Sequence, residues 1–346
     1  MKNGFWNNLN KPFFVLAPLA NVTDVVFRNF ILEYSRPDVL WTEFVAADGL
    51  CHPRGREILL KDLTFREEER PIVAQLFTSN PEHMYEAAKL CAELGFDGVD
   101  INMGCPDKNV MKQGAGAACM KDAELAKQLI LSAKKGVDST DNKIPVSVKT
   151  RLGFNEDNLE EWLRELLSVE PAAITLHART KKDMSKAPAR WDRVRRAVEI
   201  RNEMKSETLI IGNGDVVDVA NAQTKVAETG CDGVMFGRAI FGNPWLFDSA
   251  RQGVTATDKQ EITVNEKLDA ALRHTELYTD YYGDTKSFEL LKKHYRAYIN
   301  NFPLAKELRA DMMMAKSFDE VKEIVGVFKK NHTEILETIS ETKYLL

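Results

Sequence analysis

"PEHMYEAAKLCAELGFDGVDINMGCP", residues 81–106, holds one complete structural unit. Its first half is an amphipathic segment that closes on Gly95, and glycine most easily takes the backbone turn after a helix. A short β-rich run follows, "GVDIN" at 98–102, and then a loop carrying Cys105. Working outward, runs of the same kind recur: "FFVLAP" (13–18), "VLWTEF" (39–44), "IVAQLF" (72–77), "PVSVKTR" (145–151), "AAITLHAR" (172–179), "TLIIGNG" (208–214) and "GVMFGR" (233–238). With "GVDIN" they make eight. Helical patterns lie between them, such as "DAELAKQLILSAKKG", which also closes on a glycine, Gly136. Near-continuous apolar strands that alternate with helices belong to a parallel sheet covered on both faces. Eight such units in about 250 residues predict a (β/α)₈ TIM barrel. A doubly wound open sheet is the alternative.

The pattern changes after Phe247. "RQGVTATDKQ" (251–260) is polar and reads as a linker, and beyond it only helical periodicity appears. In "FELLKKHYRAY", Phe288, Leu291, Tyr295 and Tyr298 fall on one helix face, with Lys292, Lys293 and Arg296 elsewhere on the wheel. The expected organisation is a catalytic barrel over 1–250 and a small helical domain over 258–346.

Composition narrows the class. The 346 residues carry a net charge of −5, so the whole molecule does not attract phosphate and a nucleic-acid partner needs a local basic surface. Five scattered cysteines with no C-x-x-C spacing argue against a disulfide framework and against a zinc ribbon. "PFFVLAPLA" (12–20) is too short and proline-broken for a signal peptide or a membrane span, so a cytoplasmic protein is expected. No histidine has metal-ligand spacing with another histidine or an acid, so no metal site is expected.

In such a barrel the chemistry sits at the C-terminal strand ends. Those ends are Ala17-Pro18, Glu43, Gln75, Asn102, Lys149–Arg151, His177–Arg179, Asn213-Gly214-Asp215 and Gly237-Arg238. Taken alone, Gln75 and Asn102 read as turn residues and His177 as a structural histidine. Together, amides, lysine and histidine suit a planar heterocycle such as an isoalloxazine. H-x-R spacing puts His177 and Arg179 on one strand face. "GNGDV" and "GVMFGRA" are glycine-rich turns leading into helices, which present N–H groups to a phosphate, and they follow the seventh and eighth strands. "GAGAAC" (114–119) follows a loop and has Cys119 where a dinucleotide fingerprint needs Gly or Ala, so it receives no cofactor role. Cys105, between Gly104 and Pro106 just past an apolar run, is placed as a reactive thiol would be. Cys119, within "AACM", reads as structural.

Several stretches, in order, resemble the dihydrouridine synthase family: "APLANVTD", "DINMGCPDKNVMKQGAGAACM", "VSVKTRLG", "LHART", "IIGNGDV", "GVMFGRAIFGNPWLF" and "KKHYRAYINNFPLAKELR". They cover most of the chain. Leu19 and Asn21 stand where the family usually has Met and Gly, and Thr78 and Ala178 where Gly is common. The resemblance implies an FMN-dependent barrel with a C-terminal helical domain that binds RNA. It implies reduction of specific uridines in tRNA to 5,6-dihydrouridine, with NADPH or NADH as reductant. It places Cys105 as the proton donor to C5 and FMN N5 as the hydride source for C6. Ala17, Pro18, Leu19, Gln75, Lys149, His177, Asn213, Gly214, Asp215, Gly237 and Arg238 would contact FMN, with Lys149 stabilising negative charge on the reduced ring. Asn102 and Arg179 would touch the uracil edge. A monomer is expected. An FMN barrel reductase of a small molecule, or a dihydrouridine synthase acting on ribosomal RNA, are the alternative activities.

Two basic stretches favour a path for the RNA backbone. Arg179–Arg196 holds eight basic residues against Asp183 and Asp192, and Lys286–Lys330 holds ten against six acidic. His294, Tyr295 and Tyr298 are candidates for base stacking, although the two tyrosines read as core.

Overall fold

The computed structural model describes residues 3–248 and 262–339. Eight parallel strands form one sheet: β1 (Phe13–Leu16), β2 (Leu40–Ala46), β3 (Ile72–Phe77), β4 (Gly98–Asn102), β5 (Val146–Arg151), β6 (Ala173–His177), β7 (Leu209–Asn213) and β8 (Gly233–Phe236). The order is β1-β8-β7-β6-β5-β4-β3-β2, each strand beside its sequence neighbour. The remaining edge closes at the parallel bridge Val15↔Val39, where Leu16 N–H donates to the Val39 carbonyl at 3.3 Å and Asp38 N–H to the Phe14 carbonyl at 2.8 Å. This is a (β/α)₈ TIM barrel, and the strand order excludes the doubly wound sheet. The runs drawn from sequence overshoot β6, β7 and β8, because the ladders stop at His177↔Asn213 and Leu16↔Phe236.

Strand β4 is buried at all five positions and β3 at all six, as strands covered on both faces must be. At the strand starts, Phe13, Val15, Trp41, Val73, Ala173, Leu209 and Met235 pack with Trp6 from the short 3₁₀ helix Gly4–Asn8. Burying each large side chain there stabilises the barrel by roughly 1.5–3 kcal/mol. Gly233 makes room for this packing, because a Cβ there would lie 2.4 Å from the Phe13 ring.

The helix Pro81–Glu93 starts at Asn80, whose side chain accepts from the Glu82 and His83 N–H groups, and it is followed by Gly95 at φ +83°. Gly136 does not end its helix. Ala123–Asp138 runs through it, and a Cβ there would come within 2.3 Å of the Tyr85 carbonyl oxygen. Glycine is needed at that point for two helices to approach, not to stop one.

The chain packs as two compact units. The barrel unit comprises residues through Val25, Pro37–Val216 and Asn221–Gly237; the second comprises Val26–Arg36, Val217–Ala220 and the chain from Arg238 onward. The stretch read as a linker, 251–260, lies outside the described residues. Described helices of the second unit include Val264–Tyr282, Ala305–Met314 and Phe318–Asn331. "FELLKKHYRAY" forms two short helices, Glu289–Lys292 and Tyr295–Tyr298, with a turn between them. Leu291, Tyr295 and Tyr298 are buried as expected; Lys292, placed off that face by the helical wheel, is also buried and pairs with Glu289 at 2.5 Å. His294 is buried between Phe27 and Phe241 and cannot stack on a base in this conformation.

Candidate active site

Strands β3, β4 and β5 bring their C-terminal ends together around the Cys105 loop. Cys105 is partly exposed and packs against the buried cluster of Phe77, Val110 and Ala115. Burial holds its thiol above the ordinary value, so it is protonated at neutral pH. Four ties fix the backbone on either side. The Asn102 side-chain oxygen accepts from Gly104 N–H at 3.1 Å and from Cys105 N–H at 2.9 Å. Arg151 Nε donates to the Gly104 carbonyl at 2.7 Å, and Ala117 N–H to the Cys105 carbonyl at 2.9 Å. Gly116, at φ +60°, leaves no room for a Cβ, which would sit 2.9 Å from the Cys105 oxygen. "GAGAAC" therefore clamps the thiol loop. Cys119 is buried, donates to the Gly114 carbonyl and has its thiol pushed up to about 12 by burial, which makes it structural.

Several residues expected against ligand are engaged inside the protein. Gln75 is wholly buried; its Nε2 donates to Asp100 Oδ2 at 2.6 Å and its Oε1 accepts from Asn102 Nδ2 at 3.0 Å. Asn102 is thus tied to Gln75 on one side and to the thiol loop on the other. Arg179 is 3% exposed. It pairs with Asp215 and donates to the Ala187 carbonyl, and its Nη1 lies 3.3 Å from His177 Nε2. Guanidinium only donates, so His177 Nε2 is the acceptor, and its ring proton sits on Nδ1. His177 and Arg179 lie side by side, as the H-x-R spacing implies, and Arg179 helps to orient the histidine ring. Asp215 also accepts from Ala189 N–H at 2.9 Å.

Lys149, Asn213, Gly214 and Gly237 are gathered at the ends of β5, β7 and β8. Lys149 Nζ lies 3.4 Å from Asn213 Oδ1. Burial first, and then Arg151, bring the lysine down to about 8. Asn213 Nδ2 donates to the Met235 carbonyl at 2.8 Å. Gly214 holds φ +126°, and a Cβ on Gly237 would meet no described atom within 4 Å. Ala17 N–H donates to the Phe236 carbonyl at 2.8 Å, which places β1's end beside β8's, with Pro18 buried and Leu19 partly buried after it. Arg238 follows Gly237 and opens a 3₁₀ turn, Arg238–Ile240.

Two further buried groups, which receive no site role from the sequence, complete the surroundings. Asp100 accepts from Gln75 and from Ser147 Oγ, the latter at 2.6 Å, and burial pushes it up to about 6. Arg151, brought down to about 10 by burial, ties Gly104 to the Thr180 carbonyl at 3.3 Å. Asp100 had a visible signal: an acid between Val99 and Ile101, in a strand buried on both faces, has to be hydrogen-bonded in the core.

Half of the basic stretch Arg179–Arg196 is compensated, Arg179 by Asp215 and three further arginines by acids of other elements. Arg190 and Arg193 meet Asp157 at 3.3 and 2.9 Å, and Arg196 meets Glu160 and Glu203 at 2.9 and 2.7 Å. Among the described residues no group of His, Cys, Asp or Glu could hold a metal, and no helix is long and apolar enough to cross a membrane.

A family model for dihydrouridine synthase matches residues 15–335. The chain belongs to the dihydrouridine synthase family. It is accordingly an oxidoreductase. It is 38% identical over 339 residues to "Probable tRNA-dihydrouridine synthase 2" of Bacillus subtilis (strain 168), covering 97% of this chain and all of that one. It is 37% identical over 336 residues to "Probable tRNA-dihydrouridine synthase" of Staphylococcus aureus (strain MRSA252), covering 96% and 98%. Among solved structures, histamine dehydrogenase from Rhizobium sp. 4-9 superposes with a TM-score of 0.50 at 12% identity, over 76% of this chain and 48% of that one. The 6-hydroxypseudooxynicotine amine oxidase of Pseudomonas geniculata N1 gives 0.53 at 11%, over 79% and 52%. At such identities the two structures share the fold alone.

Proposed function

We propose that this dihydrouridine synthase reduces uridines in tRNA to 5,6-dihydrouridine, with FMN as cofactor, NADPH or NADH as reductant and Cys105 as the proton donor. The observation that carries the reading is the thiol itself: protonated, partly exposed, and anchored through both flanking peptides at the mouth of a barrel of this family. The donor set fits FMN. Lys149 places a cation at the β5 end, and Gly237 leaves open space after β8. Ala17, Pro18, Leu19, Lys149, His177, Asn213, Gly214, Gly237 and Arg238 would hold it, with Gln75, Asp215 and Arg179 behind them. FMN, when bound, supplies the hydride that C6 of the uracil receives.

The chain's own residues do the remainder. Cys105 gives its proton to C5, and its raised thiol value keeps that proton in place at neutral pH. Lys149 would offer its cation to the negative charge of a reduced ring held there. Reaching the C5–C6 bond requires the base to leave its stack, since the thiol lies within a loop and not on an open surface. The curated relatives' names support tRNA as the substrate. Exposed Lys293, Arg296, Lys306, Lys316, Lys322 and Lys330 on the helical unit supply phosphate-binding charge; the compensated arginines of 190–196 contribute less than their number suggests.

Mass spectrometry of RNA from a strain lacking the gene tests this. Dihydrouridine at one or a few tRNA positions should disappear and return with the wild-type chain but not with Cys105→Ala, whose turnover should fall about 10²–10⁴-fold. Full restoration by Cys105→Ala would refute the proton-donor role. Oxidation of the reduced enzyme by free uridine or enones as fast as by tRNA would refute the RNA substrate.

A further inference from the structure

We propose that Asp100 is a positioning residue, the acceptor-only end of a buried hydrogen-bonded column, Asp100–Gln75–Asn102, that dictates which atoms face the Cys105 loop. The inference rests on Cys105 being the reactive group and goes beyond it, because Asp100 touches neither the thiol nor its loop.

The column has a direction. An ionised carboxylate can only accept, so Gln75 must turn its NH₂ toward Asp100. That leaves the Gln75 oxygen facing Asn102, which must answer with its own NH₂. The Asn102 oxygen then points at the Gly104 and Cys105 N–H groups, which can only donate. Donor-only peptide groups at one end and an acceptor-only carboxylate at the other leave a single consistent orientation for both amides. Ser147 Oγ donates to the second carboxylate oxygen and holds Asp100 in place from β5. Asp100, Gln75 and Ser147 are at most 3% exposed and Asn102 is 7% exposed, so water does not readily replace a lost bond. A neutral apolar residue at 100 would leave the buried Gln75 NH₂ without its acceptor, and only the loop's own N–H groups would then hold the two amides in this orientation.

An exchange of charge between the two ends tests this with near-isosteric variants. Asp100→Asn alone keeps an acceptor toward Gln75, and Ser147 can reverse its hydroxyl, so the column survives. Asn102→Asp alone puts an acceptor-only group at both ends, and Gln75 cannot satisfy the two with one NH₂ and one oxygen. The double variant Asp100→Asn, Asn102→Asp lets Gln75 flip: Asn at 100 donates to its oxygen, and its NH₂ donates to Asp at 102, which still accepts from the loop. Hydrogen-exchange mass spectrometry of flavin-free protein reads the Gly104 and Cys105 amides directly. Exchange should stay within threefold of wild type in Asp100→Asn, speed up at least tenfold in Asn102→Asp, and return to within threefold in the double variant. Rescue by reversed polarity is not expected of a residue that merely fills space.

Iodoacetamide labelling of Cys105, in a Cys51→Ser background that removes the exposed thiol, should separate Asn102→Asp from the double variant in the same order. The two share the carboxylate at 102, so its direct effect on the thiol cancels. If Asn102→Asp yields too little folded protein, recovery of soluble protein in the double variant reads the same rescue. Exchange in Asn102→Asp equal to wild type, or a double variant no better protected than Asn102→Asp, would overturn the proposal. Neither outcome involves RNA reduction, so the proton-donor role of Cys105 stands or falls separately, on the Cys105→Ala complementation.

Discussion

Replacing Lys149 with Met should stabilise the flavin-free protein while removing its activity. The ammonium lies at the end of β5, 3.4 Å from Asn213 Oδ1, and burial with Arg151 nearby brings it from 10.5 down to about 8. A lysine whose folded value is depressed is a net liability when charged. At about 1.4 kcal/mol per tenfold, the displacement sets an upper bound of about 3 kcal/mol. The side chain is partly exposed, and solvent screening reduces this to about 1–2 kcal/mol. For a chain of this size that is a rise in Tm of about 1–3 °C at pH 7. The sign with pH follows from proton binding. Between about 8 and 10.5 the unfolded chain holds the lysine proton and the folded one does not, so wild-type stability climbs with pH across that window. Lys149→Met lacks this climb, and its advantage should be full below pH 8 and gone by about pH 10.5. Scanning calorimetry of both proteins between pH 7 and 10.5 measures the gap. In the same variant, reduction of tRNA uridines should fall about 10²–10³-fold, the usual effect of deleting one electrostatic stabiliser. A variant less stable than wild type at pH 7, or a gap that does not change with pH, would refute the reasoning.

Gly116→Ala forces a side chain into the left-handed region and against the Cys105 carbonyl and Val110; unfolding titrations should show a loss of about 1–3 kcal/mol, with faster labelling of Cys105. Gly237→Leu enters open space, so Tm of the flavin-free protein should change by under about 2 °C, while FMN retained through gel filtration should drop sharply if that space is the cofactor's. Asp157→Ala removes the carboxylate that Arg193 grips with two hydrogen bonds, while Arg190 keeps Asp183 at 2.8 Å; non-specific RNA binding should tighten at low salt, and the slope of log Kd against log salt should steepen by about 1.

Local chemistry in the chain was enough for the barrel. Eight apolar runs, helices between them and a cap at Gly95 are written in short windows, because strand burial and helix amphipathicity are periodic properties of neighbouring residues. The thiol was legible for a similar reason, standing alone after an apolar strand between Gly104 and Pro106. Partnership across the fold was not. Gly136 carries the same local signal as Gly95, yet it lies inside a helix pressed on Tyr85 of another. Arg193 and Arg196 count as basic surface in any window that omits Asp157 and Glu160, which lie 36 residues before them and neutralise them. Gln75, Asn102 and Asp100 come from two strands, and only the β3–β4 register sets Gln75 beside Asp100. A hydrogen bond is a matter of ångströms and direction, so the partner of a buried amide is decided where the strands meet in space, and no spacing along the chain encodes it.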